Sequence, residues 1–136
     1  MLSLSGLEVA ATGVLDASAV LALLLDEPGC AAAERYIGAG IVSAVNYSEV
    51  VARLSGIAAT GEFIKAQIDE LALTIIPFDE QTALTAGLLR PATRDYGLSF
   101  ADRACLATAK ALRLPAVTAD HAWAELDIGV RVEVIR

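Results

Sequence analysis

Histidine occurs once in this chain of 136 residues, as His121, and cysteine twice, as Cys30 and Cys105. One imidazole and two distant thiols cannot build a zinc site. Two thiols are also too few for a disulfide framework, so the fold must hold by its core. A Ser-His-Asp triad would have to use His121, and no Gly-x-Ser-x-Gly turn accompanies it. Glycine-rich phosphate cradles are missing as well: there is neither a Gly-x-x-x-x-Gly-Lys loop nor a Gly-x-Gly-x-x-Gly turn. Basic side chains are scarce, 10 Lys and Arg against 17 Asp and Glu, and the net charge of -7 argues against a broad electrostatic grip on nucleic acid. The bases that exist fall in local groups, Arg90 with Arg94 and Arg103 with Lys110 and Arg113. The longest apolar run, Ala19 to Leu25, is far below the roughly 20 residues that span a bilayer. Met1 to Thr12 has no basic start and does not read as a signal peptide, so a reducing cytoplasm is expected.

What the chain has is apolar surface and acids. Hydrophobic residues make up 56% of it, above the half usual for a globular domain. The surplus reads either as an alanine-rich, tightly packed interior or as surface covered by a second copy or another protein. The length fits one domain, with Met1 to Thr12 as a weakly patterned leader. Short apolar strands are expected at Gly13–Asp16, Ile41–Ser43, Thr74–Pro77 and Ala116–Thr118, with an alternating edge strand over Arg131–Ile135. Between them the periodicity predicts helices over 17–25, 30–37, 45–55, 61–71, 80–89 and 99–112, and a loop over 91–97. Alternating helices and near-continuous apolar strands imply an α/β fold, a three-layer α/β/α sandwich around a mainly parallel sheet. Sites in such sheets form beyond the carboxyl ends of the strands.

Four acids fall where such a site would be: Asp16, Glu49, Asp102 and Asp120. Asp16 closes the first strand, and its plainer role is a helix N-cap. Asn46, Glu49 and Arg53 share one stripe of a helix, where Glu49 and Arg53 could simply pair at i,i+4. Ser99 and Asp102 have capping-box spacing at a helix start. Asp120 could open the turn before His121. Asp79 reads as a cap alone. If the four converge, each pair repels by about 3 kcal/mol at about 6 Å and an effective dielectric near 20. Such a cluster persists only around a cation, and hard oxygen donors select Mg²⁺ or Mn²⁺.

Taken together, Leu15-Asp16-Ala17-Ser18, Ser43-Ala44-Val45-Asn46-Tyr47-Ser48-Glu49, Leu98-Ser99-Phe100-Ala101-Asp102-Arg103-Ala104-Cys105 and Thr118-Ala119-Asp120 resemble the motifs of PIN-domain ribonucleases, most closely the VapC-type toxins of toxin–antitoxin pairs. The resemblance runs from about Gly13 to the C-terminus. It implies that Asp16, Glu49, Asp102 and Asp120 hold one or two Mg²⁺ or Mn²⁺ ions, with Ser18, Asn46, Ser99 and Thr118 in support. It further implies a PIN-like fold, a cytoplasmic homodimer, cleavage of RNA (transfer RNA is the common target of similar toxins) and a VapB-type antitoxin partner. Arg90, Arg94 and Arg103 are the candidates for contacts with the RNA backbone. The sequence departs from the family in two places. The leader before the first strand is longer than usual, and Asp120 is followed by His121-Ala122-Trp123 where some relatives carry another acid.

Three other readings fit the residues less well. A receiver-type phospho-acceptor domain wants paired acids after the first strand and a late lysine, but Asp16 is followed by Ala17 and the only lysines are Lys65 and Lys110. A haloacid-dehalogenase-type phosphatase wants Asp-x-Asp, which Asp16-Ala17-Ser18 lacks. A catalytically silent PIN-like binding partner would not need all four acids.

Overall fold

The computed structural model describes residues 11–57 and 60–136. The part of the leader before Ala11 lies outside them. Among the described residues the chain forms strands β1 (Gly13–Leu15), β2 (Gly40–Ser43), β3 (Thr74–Ile76), β4 (Ala116–Thr118) and β5 (Val132–Val134). Helices α1 (Ala17–Leu25), α2 (Cys30–Ala33), α3 (Ala44–Ser55), α4 (Gly61–Asp69), α5 (Glu80–Leu88), α6 (Arg90–Thr93) and α7 (Phe100–Leu112) alternate with them. The strands pair in the order β3-β2-β1-β4-β5, and every pairing is parallel. The direction of the sheet's growth reverses between β1 and β4, which places the crevice of this topology at their carboxyl ends.

Strand alternation sorts the core into two layers. Val14, Ile41 and Ala116 face α5 and α7, where they meet Ala86, Cys105, Leu106 and Trp123. Leu15, Val42 and Val117 face the opposite way, onto α1, α3 and α4, through Ala19, Val20, Val50, Ile64 and Ile68. Helices therefore cover both faces, as the near-continuous apolar strands require. Gly40 is glycine for a reason of space: a Cβ there would stand 2.7 Å from Leu15 Cδ1.

Several local expectations differ from the structure. The helix expected over 30–37 is α2 followed by a 3₁₀ turn at Glu34–Tyr36. The segment expected as a loop at 91–97 is instead α6 and a second 3₁₀ turn, Arg94–Tyr96. Pro91 sits in the first turn of α6, the one helical position where its missing N–H costs nothing. The edge strand over 131–135 is present as β5 and is parallel. No helix among the described residues is long and apolar enough to cross a membrane.

Candidate functional site

The buried run of β1 delivers Asp16 to the carboxyl edge of the sheet, 5% exposed. Its backbone is still extended there, so the side chain turns back to cap α1, and Oδ1 accepts from Ala19 N at 2.9 Å. Two hydroxyls complete the carboxylate's surroundings. Ser18 Oγ donates to Oδ1 at 2.7 Å, and Thr118 Oγ1, from the end of β4, donates to Oδ2 at 2.6 Å. The neighbouring amides lock both hydroxyls in turn: Ala119 N donates to Ser18 Oγ, and Asp120 N to Thr118 Oγ1. Asp16 thus ties the two central strands together where the crevice forms. Burial pushes its pKa up to about 6, against the pull of Thr118, Ser18 and the Ala19 amide, and the charge of Asp102 adds to the rise.

Glu49 and Asp102 arrive from helices. Asn46, on α3, is fully buried, and its Nδ2 donates both to Glu49 Oε1 at 2.9 Å and to the Ala101 carbonyl of α7 at 3.0 Å. Both neighbours are acceptors, which fixes the orientation of the amide and leaves its Oδ1 buried without a partner. Glu49 does not pair with Arg53, whose guanidinium lies 3.6 Å from Glu27 instead. Burial raises the Glu49 pKa, and Asp102 raises it further against the Asn46 hydrogen bond. Asp102 and Ser99 form the capping box expected of them, with Asp102 Oδ2 accepting from Ser99 N at 2.9 Å.

Three acids share a neighbourhood: Asn46 joins Glu49 to Ala101, the residue before Asp102, and, after burial, the charge of Asp102 raises the pKa of both Asp16 and Glu49. Cys105 is fully buried one turn beyond Asp102, and its pKa is raised first by burial and then by the charges of Asp16, Asp102 and Glu49. Asp120 stands at the end of β4, where Oδ1 accepts from Ala122 N and caps the 3₁₀ turn His121–Glu125. Among the described residues, none of the four acids has a Lys, Arg or His within salt-bridge distance.

The donor set fits a hard divalent ion in kind: carboxylates, hydroxyls and an unpartnered buried amide oxygen, with no imidazole and with the nearest sulfur held protonated by burial. The side chains are nevertheless not drawn into one coordination sphere. Among the described residues, no group of three or more His, Cys, Asp or Glu is arranged to hold a metal. The physical reason is local: like charges repel, and Asp16, Asp102 and Asp120 each have a backbone N–H at hand to turn to.

Of the three arginines, Arg90 and Arg94 are exposed on α6 and the turn after it. Arg103 is committed elsewhere, since Nη1 donates to the Ala86 carbonyl at 3.0 Å and satisfies the last turn of α5. The Ala101 carbonyl that anchors Asn46 was not visible in the sequence, because a backbone group on another helix leaves no residue signature.

A parallel α/β/α sandwich with one buried acid, Asp16, at the β1–β4 crevice and more accessible acids on the neighbouring helices defines a class of proteins whose chemistry sits at the carboxyl edge of the sheet. Residues 13–129 match the PIN domain model. The chain belongs to the PIN-domain family. No curated protein sequence matches it significantly. Solved structures do, and VapC-type toxins are prominent among them. The Rickettsia felis VapBC2 complex bound to a promoter DNA fragment superposes with a TM-score of 0.72 at 16% identity, over 92% of this chain and 99% of that one. Mycobacterium tuberculosis VapC20, described as a sarcin-ricin-loop-cleaving toxin, gives 0.67 at 16% identity, over 88% and 99%. A VapBC-5 toxin–antitoxin structure from the same organism gives 0.54 at 27% identity, over 93% and 98%.

Proposed function

We propose that this chain is a metal-dependent endoribonuclease, the toxin of a VapBC-type pair, acting as a homodimer. The observation that carries this reading is the gathering of Asp16 at the β1–β4 crevice and of Glu49, tied by Asn46 to the start of α7 beside Asp102, in a PIN domain, with no cationic side chain among the described residues within salt-bridge distance of them. Asp16, Glu49, Asp102 and Asp120 would hold Mg²⁺ or Mn²⁺. When bound, such an ion cancels phosphodiester charge and acidifies water.

The chain's own residues do the rest. Ser18 and Thr118 hydrogen-bond the two oxygens of Asp16 and hold its carboxylate at the carboxyl end of β1. Asn46 holds Glu49 against the start of α7, and Ser99 holds Asp102. Arg90 and Arg94 face solvent and suit contacts with phosphates, which position RNA without reading its sequence. Hydrolysis would leave 5′-phosphate and 3′-hydroxyl ends. An apolar groove of about 260 Å³ between α1, α3 and α4, lined by Leu24, Leu54, Ile57 and Phe63, suits the apolar face of an antitoxin helix.

The test is cleavage of structured RNAs, transfer RNA among them, in Mg²⁺, Mn²⁺ or EDTA. Cutting is expected only with the ion. Asp16→Asn and Asp102→Asn should each reduce it by at least roughly a hundredfold while the circular dichroism of the fold survives. Cutting that persists in EDTA refutes the mechanism. A folded wild-type chain that binds RNA and never cuts it favours the catalytically silent reading, which the capping roles of Asp16, Asp102 and Asp120 also suit.

A further inference from the structure

Aromatic side chains are scarce, 5% of the chain, and three of them stand exposed: Phe63, Tyr96 and Phe100. Phe63 lines the apolar groove, and the Tyr96 hydroxyl donates to the Glu125 carbonyl at 3.4 Å. Phe100 is the first residue of α7 and is 52% exposed. α7 leads by a short turn into β4, so its last turn lies at the amino edge of the sheet and its first turn at the carboxyl edge. Phe100 therefore stands at the edge where the acids gather. It is two residues before Asp102 and next to Ala101, whose carbonyl anchors Asn46. Residues two apart in a helix have Cα atoms about 5.4 Å apart, so one strand of RNA can touch both.

A second ring braces the first. Phe78, just beyond β3, reaches the same edge and is half-buried against the α5–α7 layer. The two rings meet edge to face, with centroids 5.6 Å apart and planes at 83°. That is a favoured geometry for an aromatic pair, and it holds Phe100 in one orientation. A single exposed apolar side chain is ordinary. A ring fixed by another ring, half open to water and beside the acids, is a platform.

Charge says what the platform is for. RNA brings its phosphates to a chain with 17 acids and 10 bases, so phosphate contacts alone grip it poorly. Stacking a base on an aromatic ring avoids that penalty and suits any base, since every base has a π-face. The bases free to stack are the unpaired ones of loops, bulges and single strands.

We propose that Phe100, braced by Phe78, is the stacking platform for one unpaired base beside the RNA bond to be cut. This names a substrate contact for the ribonuclease put forward above and rests on that reading.

Steady-state cleavage of an RNA hairpin cut in its loop tests it, alongside the same hairpin with an abasic nucleotide at each position flanking the cut. Phe100→Ala and Phe100→Leu should each raise KM at least roughly fivefold and leave kcat within about twofold. Phe100→Tyr and Phe100→Trp should keep the wild-type KM. A structural role would instead rank leucine, which retains apolar bulk against Phe78, with the aromatic residues. One abasic position should raise KM for the wild type and change nothing for Phe100→Ala, because the stacked base is already lost. If Phe100→Ala fails to fold, the leucine and tryptophan variants decide.

A second readout needs no cleavage. Trp123 is the single wild-type tryptophan and is fully buried, so the indole of Phe100→Trp is the one open to solvent. Single-stranded RNA should quench that indole and shield it from acrylamide. Equal KM for wild type, Phe100→Ala and Phe100→Leu overturns the platform and leaves the nuclease reading intact. Quenching by RNA in a chain that never cuts supports the platform and sinks the nuclease reading. An indole shielded from acrylamide before RNA is added, and unmoved by it, assigns the ring to a protein contact and overturns the proposal.

Discussion

Asp16 is a carboxyl group held under conflicting demands. Its hydrogen bonds favour the ion, and its burial disfavours the ion more, so its pKa stands at about 6 against an ordinary 3.8. Folded-state protonation then outlasts unfolded-state protonation across roughly pH 4 to 6. Over that window the folded chain holds a proton that the unfolded chain has released, so stability falls as pH rises, by about 3 kcal/mol in all. Urea unfolding midpoints in EDTA should show this decline, and Asp16→Asn should flatten it and leave the chain more stable than wild type at neutral pH. Thr118→Val removes the donor to Oδ2, so the decline should extend to higher pH. Wild-type stability that climbs through the same window would overturn this account of Asp16. At this scale the sequence was informative about Asp16, Ser18 and Thr118, because strand ends and cap positions have side-chain signatures. It was silent about the Ala101 carbonyl and misleading about Arg53, which had an equally good partner, Glu27, on the loop after α1.

Among the elements, α7 shows how one residue serves structure and site together. Ser99 Oγ accepts from Asp102 N at 3.1 Å while Asp102 Oδ2 accepts from Ser99 N, which satisfies two of the donors a helix start leaves open. Ser99→Ala removes the first bond and loosens the second. It should cost about 1 kcal/mol, read as a lower urea midpoint with an unchanged denaturant slope, and Ser99→Thr should recover most of it. A Ser99→Ala chain as stable as wild type would mean that the box contributes nothing. The capping box was legible because it is a local pattern of fixed spacing. The segment 91–97 was not, since proline reads equally as a loop breaker and as the first residue of a helix. In α6 the buried Thr93 hydroxyl donates to the Leu89 carbonyl at 2.9 Å, a contact made only once the chain has coiled and so absent from any sequence pattern. Helix and strand periods were clear wherever one face met the core. They failed in the short turns, where no stripe is long enough to register.

For the whole molecule, the α/β class was readable from apolar strands alternating with helices, but the strand order was not. Strands of three or four mostly apolar residues are interchangeable as partners, and only packing on both faces selects β3-β2-β1-β4-β5. That order decides the site, because it sets β1 beside β4 and so Thr118 beside Asp16. It also sets the sheet between two cores that share every central strand: Val14 serves one and Leu15 the other. Neither core can then melt alone without stripping a face of the strands that hold the other. Trp123, the single tryptophan, is fully buried in the α5–α7 layer and reports on that core by fluorescence, whereas far-UV circular dichroism reports on helices of both layers. The two signals should therefore fall together in urea, as one two-state transition. Leu106→Ala, which empties a fully buried position of the same layer, should lower both midpoints equally, by about 2–5 kcal/mol of stability. A fluorescence transition that precedes the dichroism change, in the wild type or in Leu106→Ala, would show that the α5–α7 layer unfolds by itself, and that the sheet does not couple the two cores.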